Sequence, residues 1–253
     1  MELDEVFEGA EVFVLKREKP TGGFGATPLL PPTIEDTYFA LNTLSLLKVE
    51  PNLENHAKFL LSQDLFKITF EPAFELVELA KMLGILDKLN KDGVKVLLTR
   101  CKRKSKSKSL RLSDAFWLYH LAKAFDESKL AQSLFEKTKK LVEAKNRLSM
   151  KESYYAYRVL KNELPKRVVE SIKETQNPDG GFGFYKGTTS YMENTFYACY
   201  ILQGFNEVPS RLKELLEFVF NCRNKDGGFG RNPQGISFLP TTYYACWILK
   251  HFA

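Results

Sequence analysis

Apolar residues recur along this chain at spacings of three and four, the pattern of helices that bury one face. FELVELAKMLGIL (74–86), AFWLYHLAKAF (115–125) and SYYAYRVLKNEL (153–164) show it plainly. Marking each such stretch predicts twelve helices, at 2–18, 36–48, 52–62, 71–86, 88–102, 112–125, 127–145, 150–162, 165–176, 191–204, 209–223 and 240–252.

The helices repeat in pairs. KPTGGFGATPLLPPTIEDTYFALNTL (19–44), NPDGGFGFYKGTTSYMENTFYACYIL (177–202) and NKDGGFGRNPQGISFLPTTYYACWIL (224–249) align end to end. Each runs from a helix end through a Gly-Gly-Phe-Gly turn and an irregular loop into an aromatic-rich helix. Glycine suits the turn because helices commonly stop on a residue with positive φ. The first predicted helix precedes such a turn, so it pairs with the last helix and shuts a ring. An open solenoid would instead carry polar capping repeats at its ends. The expected fold is therefore all-α: a closed α6/α6 toroid of six helical hairpins, with residues 1–253 forming one domain.

A common register sharpens this picture. Thr37, Ala73, Ala115, Ser153, Thr195 and Thr242 anchor the six helices that follow the turns. One residue on stand Tyr38, Phe74, Phe116, Tyr154, Phe196 and Tyr243, all aromatic. Two residues on stand Phe39, Glu75, Trp117, Tyr155, Tyr197 and Tyr244. Five on are Asn42, Glu78, His120, Arg158, Tyr200 and Trp247; eight on are Ser45, Lys81, Lys123, Lys161, Gln203 and Lys250. The positions one, five and eight past the anchor share a face at 100° per residue. That face is aromatic at one end, mixed in the middle and basic at the other, as a stripe lining a central cavity would be. The same rings can instead fill the barrel as core.

With 44% hydrophobic and 27% charged residues, the composition is that of an ordinary globular chain. No apolar run reaches the ~20 residues that span a bilayer. The start, Met1-Glu2-Leu3-Asp4-Glu5, lacks a basic leader region. Cys101, Cys199, Cys222 and Cys246 form no CxxC pair, so a reduced, cytoplasmic setting is expected. The net charge is +6, and the stretch from Arg100 to Arg111 concentrates basic residues. That stretch reads either as a solvated loop or as an anion contact.

The Gly-Gly-Phe-Gly turn followed by Thr-Tyr-x-Ala resembles the repeat of protein prenyltransferase β subunits. Gln176, Gly180 and Phe182, as Q-x-x-x-G-x-F, resemble the QW motif of squalene and related cyclases. The resemblance implies an isoprenoid ligand and, for the β subunits, a helical partner subunit. It also implies a zinc site held by Asp, Cys and His near the starts of late inner helices. The matching stretches here, Glu193-Asn194-Thr195-Phe196 and Pro240-Thr241-Thr242-Tyr243, offer no Cys and no His. His56, His120 and His251 lie on separate elements. Neither a metal nor another cofactor is expected, and zinc-dependent cysteine prenylation is set aside.

Related cyclases protonate an alkene with an Asp-x-Asp-Asp segment. Thr33-Ile34-Glu35-Asp36 occupies that kind of place, which makes Glu35 and Asp36 candidate acids, or alternatively helix N-caps. Glu78, His120 and Arg158 share one register on consecutive inner helices. They are either an acid–base cluster or a charge network. The expected ligand chain lies among Tyr38, Phe116, Trp117, Tyr154, Phe196, Tyr200, Tyr243 and Trp247. Its anionic head would meet Lys81, Lys123, Lys161 and Lys250 or the basic stretch at 100–111. The first reading is thus an isoprenoid-binding or isoprenoid-processing toroid without zinc chemistry. The alternative is a non-catalytic toroid that binds a protein, or less expectedly a nucleic acid, through its basic loop.

Overall fold

The computed structural model describes residues 3–51 and 53–253. Its helices are α1 (Leu3–Leu15), α2 (Ile34–Leu47), α3 (Leu53–Leu61), α4 (Phe70–Met82), α5 (Lys91–Ser105) and α6 (Leu112–Ala124). They continue with α7 (Ser128–Glu143), α8 (Met150–Leu160), α9 (Lys166–Lys173), α10 (Met192–Gly204), α11 (Leu212–Asn221) and α12 (Leu239–Phe252). The expected helices are all present, several shorter by a turn. The even-numbered helices form the inner ring: each packs on the next, and α12 packs on α2 to close it. The odd-numbered helices lie outside, α1 bridging α2 and α12. Among the described residues, no helix is long and apolar enough to cross a membrane.

Three Gly-Gly-Phe-Gly turns hold consecutive outer helices together. Gly22, Gly180 and Gly227 all have positive φ, at 88°, 82° and 88°. A Cβ on each would lie 2.0 Å from Asn55 O on α3, 2.0 Å from Leu215 N on α11 and 2.2 Å from Gly9 O on α1. Two requirements, a left-handed backbone and backbone contact with the next helix, thus select glycine at one position. The Phe of each turn (Phe24, Phe182, Phe229) is fully buried. Its backbone N–H donates to the hydroxyl of Thr37, Thr195 or Thr242, at 2.9, 3.0 and 3.0 Å. The register anchor is therefore Thr wherever the turn is present, and Ala73, Ala115 or Ser153 where it is absent.

The residue before each turn meets the next outer helix by a different chemistry in each copy. Gln176 accepts from Arg211 N at 3.1 Å. Arg223 donates to Glu5 O at 3.2 Å. The Glu18 carboxylate lies 3.3 Å from Nε2 of fully buried His56, whose Nδ1 accepts from Gly23 N at 2.9 Å.

The basic stretch is half helix and half loop. Residues 100–105 complete α5. Arg100 donates to Phe66 O and Ile68 O at 3.1 and 2.8 Å, Lys102 pairs with Glu127 at 2.7 Å, and Lys104 pairs with buried Asp114 at 3.2 Å. Arg103, Lys106 and Lys108 stay exposed.

Gly180 and Gly187 separate the two demands on a turn glycine. Both have positive φ, but a Cβ on Gly187 would meet nothing within 4 Å. Gly187→Ala should cost only the ~1–2 kcal/mol of a left-handed alanine. Gly180→Ala should cost at least twice that, because Leu215 backbone must move; thermal melting of the two variants checks the ordering.

Candidate functional site

The inner helices bring their first turns together around a central cavity of about 280 Å³. The residues one past the anchor form a girdle. Centroids are 6.2 Å apart for Tyr38–Phe74, 4.9 Å for Phe74–Phe116 and 6.5 Å for Phe116–Tyr154. The girdle continues at 5.9 Å for Tyr154–Phe196 and 5.7 Å for Phe196–Tyr243. Four of these rings also lie against the residue two past the anchor on the next inner helix. Phe116 stacks on Tyr155 at 4.8 Å, Tyr154 on Tyr197 at 4.6 Å and Phe196 on Tyr244 at 4.5 Å, while Tyr243 tilts onto Phe39 at 5.9 Å. Offset and edge contacts of this kind each add ~0.5–1.5 kcal/mol beyond burial.

One position breaks the second tier. On α4 it is Glu75, not an aromatic. Glu75 lines the cavity, is only 7% exposed, and its Oε2 has no hydrogen-bond partner. Burial, then the charges of Glu35 and Glu71, push its carboxyl up to about 8. Glu35 and Glu71 are exposed at the cavity mouth together with Lys151, whose ammonium stands 5.6 Å from the Tyr155 ring centre. Glu35 is itself raised by burial and by Asp36 and Glu71.

Arg158 lines the same cavity one turn further down. Its Nη1 donates to the Tyr154 hydroxyl at 2.6 Å, and its guanidinium carbon lies 5.3, 5.5 and 5.7 Å from the rings of Phe116, Tyr154 and Tyr200. Aromatic faces thus hold the cation where a carboxylate would ordinarily pair with it.

The other expected site residues divide clearly. Tyr38, Phe116, Trp117, Tyr154, Phe196, Tyr200 and Tyr243 line the cavity, as do Glu35 and Glu78. Asp36 accepts from Thr33 Oγ1 at 2.7 Å while its own N–H donates back at 3.0 Å, a helix cap at the start of α2. Glu78, His120 and Arg158 share a level without an ion pair among them: Glu78 accepts from Lys81 at 2.7 Å. His120 packs between Phe74 and Phe116, 5.5 and 4.7 Å away. Burial, reinforced by the charge of Arg158, lowers its pKa to about 2, so it is a neutral ring at physiological pH.

The lysine row does not reach the cavity. Lys81, Lys123, Lys161 and Lys250 are exposed at the far ends of their helices, and Lys250 donates to Leu46 O. Cations at helix C-termini have the helix dipole as their reason. Trp247 is also outside the lining: it packs against Phe196 at 5.2 Å, Tyr200 at 5.3 Å and His251 at 4.1 Å. Glu75 was visible in the sequence as the single non-aromatic residue of its tier, a signal that a list of aromatic positions passes over.

Among the described residues, no three His, Cys, Asp or Glu side chains are grouped to hold a metal ion. Burial raises the thiols of Cys101, Cys222 and Cys246 to about 12, which leaves them inert as nucleophiles.

A closed ring of alternating helices around an aromatic-girdled cavity defines an α/α toroid. The chain belongs to the prenyltransferase alpha-alpha toroid domain family, matched over residues 4–107 and 146–252. A solved structure that it matches is Candida albicans protein geranylgeranyltransferase-I complexed with GGPP. That match has 15% identity and a TM-score of 0.46, covering 98% of this chain and 78% of that one. No curated protein matches the chain.

Two outcomes follow. Trp247→Ala removes a side chain packed among rings and should cost roughly 3–5 kcal/mol, as much as a buried leucine or more; denaturant melts alongside Leu249→Ala test this. Glu75 takes up its proton more readily folded than unfolded, so its contribution is complete below about 4.5 and is lost as pH rises through about 8. Glu75→Gln should therefore gain stability relative to the parent across that window, by about 2–4 kcal/mol at its alkaline end. Thermal melts at stepped pH measure the gap, which should widen with pH. His120 acts oppositely: it withholds stability as pH falls from 6.5 toward about 2.

Proposed function

We propose that the toroid binds a short isoprenoid in its central cavity, with Arg158 taking the anionic or oxygen-bearing end. The observation that carries this reading is the convergence of aromatic rings from all six inner helices on one cavity that also exposes Arg158. Ring faces solvate branched unsaturated chains, and a guanidinium presents paired donors to a phosphate. Size supports a short chain. An apolar cavity of roughly 150 Å³ accommodates benzene, and most small-ligand sites run from roughly 300 to 1,000 Å³. A space of about 280 Å³ suits a group a little larger than benzene, unlike a long polyprenyl tail. Among the described residues, no His, Cys, Asp and Glu side chains are grouped as a zinc-activated thiol would require.

The second reading, a scaffold for an acidic protein surface, is supported by Arg103, Lys106 and Lys108, all exposed at and just past the end of α5.

Calorimetry with geranyl diphosphate, geraniol and inorganic diphosphate tests the first reading. Geranyl diphosphate should bind, and Arg158→Gln should weaken it about tenfold or more while leaving geraniol binding within about twofold. Absence of binding by both prenyl probes would leave the scaffold reading standing.

A further inference from the structure

Glu75 interrupts an otherwise aromatic tier, and an interruption of that kind costs stability unless something compensates. Wherever the tier is complete, the ring one past the anchor has an aromatic neighbour on the next helix. Tyr38 has Glu75 in that place. Trp117, on the helix beyond, lines the cavity beside it. The result is a gap in the aromatic tier at Glu75, whose Oε2 has no partner, in a cavity that Tyr38 and Trp117 also line. Glu35 and Glu71 at the mouth add negative potential on the approach to it.

We propose that this gap between Tyr38, Glu75 and Trp117 is a binding site for a substituted ammonium group, carried by a ligand or co-substrate that enters the cavity mouth. A cation placed there supplies what the missing ring does not. It fills the space against Tyr38, satisfies the unpartnered oxygen, and gains from the faces of Tyr38 and Trp117. A metal ion fits poorly, since the neighbouring carboxylates are not grouped for coordination. An alkylated nitrogen suits a pocket that is acidic on one side and aromatic on two. Lys151 shows that the mouth accepts an ammonium over a ring, and its charge partly offsets the upward push on Glu75 and Glu35.

This site shares the cavity with the isoprenoid reading but does not depend on it, and the two can fail separately. The balance of the binding step is simple. Glu75 is largely protonated at pH 7, so docking an ammonium releases that proton to solvent and leaves a carboxylate–ammonium pair.

The experiment compares choline with its uncharged carbon isostere, 3,3-dimethylbutan-1-ol, by calorimetry on the full chain. Choline should bind the parent protein about tenfold or more tightly than the isostere. At pH 7, titrations in two buffers of different ionisation enthalpy should show proton release. Glu75→Gln should bring the ratio of the two probes to about two or less, with the affinity of the uncharged isostere and thermal melting reporting whether the cavity and fold remain intact. If that variant fails to fold, proton release by the parent protein decides alone. Equal affinity for choline and isostere, choline selectivity that survives Glu75→Gln, or binding without proton release would each overturn the proposal.

Discussion

The close approach of a turn glycine to the backbone of the following outer helix is the contact on which the ring depends. Gly180 brings the end of α9 onto α11, Gly227 brings α11 onto α1, and Gly22 brings α1 onto α3. The middle one joins the two ends of the chain, so closure of the toroid is made by the same device that joins ordinary neighbours. Each approach also sets the next Phe under the inner helix, where its N–H finds a threonine hydroxyl. The outer spacing and the inner register are thereby fixed together, since that threonine anchors the helix whose rings line the cavity.

From the register follows the girdle, and from the girdle the size of the cavity. Rings from adjacent helices stack in two tiers, leaving only about 280 Å³. The sequence leaves open whether aromatic stripes line a cavity or fill a core, and the structure resolves the question by depth. Near the helix N-termini the rings surround free space. One turn lower, Trp247 and His120 pack against their neighbours and narrow it.

Much of this was legible in the residues. The glycine turns, the helix period and the aromatic register are local and repetitive, and they lead directly to twelve helices in a ring. Depth was not legible. Helical periodicity says which residues share a face, so Lys81, Lys123 and Lys161 were grouped with Tyr38 and Phe116. It does not say where along the axis a cavity ends, and the lysines emerge at the opposite surface. Long-range pairing was equally hidden: nothing near Lys104 in the sequence announces its tie to Asp114, and the neutral state of His120 comes from Phe74, Phe116 and Arg158, on three different helices. Glu75 illustrates the reverse case, a visible exception whose meaning came only from the cavity it lines and the unpartnered oxygen it buries there.

The ring is also divided in its labour. The three glycine turns flank α2, α10 and α12, whose contributions at the girdle and below are almost wholly aromatic: Phe39, Phe196, Tyr197, Tyr200, Tyr243, Tyr244 and Trp247. The helices without such turns, α4, α6 and α8, bring Glu75, Glu78, His120, Lys151 and Arg158. A sector held by backbone contact and a buried Phe on every turn has its inner register set three times over and can devote that face to packing. In the other sector the outer helices are held by side-chain ties, such as Lys102–Glu127, Lys139–Glu163 and Lys104–Asp114. That sector also carries the buried carboxyl and the cavity's guanidinium, the groups that cost most to bury. Buried polar groups of that cost mark the place where a site is to be sought, and Glu75 on α4 and Arg158 on α8 face one and the same cavity.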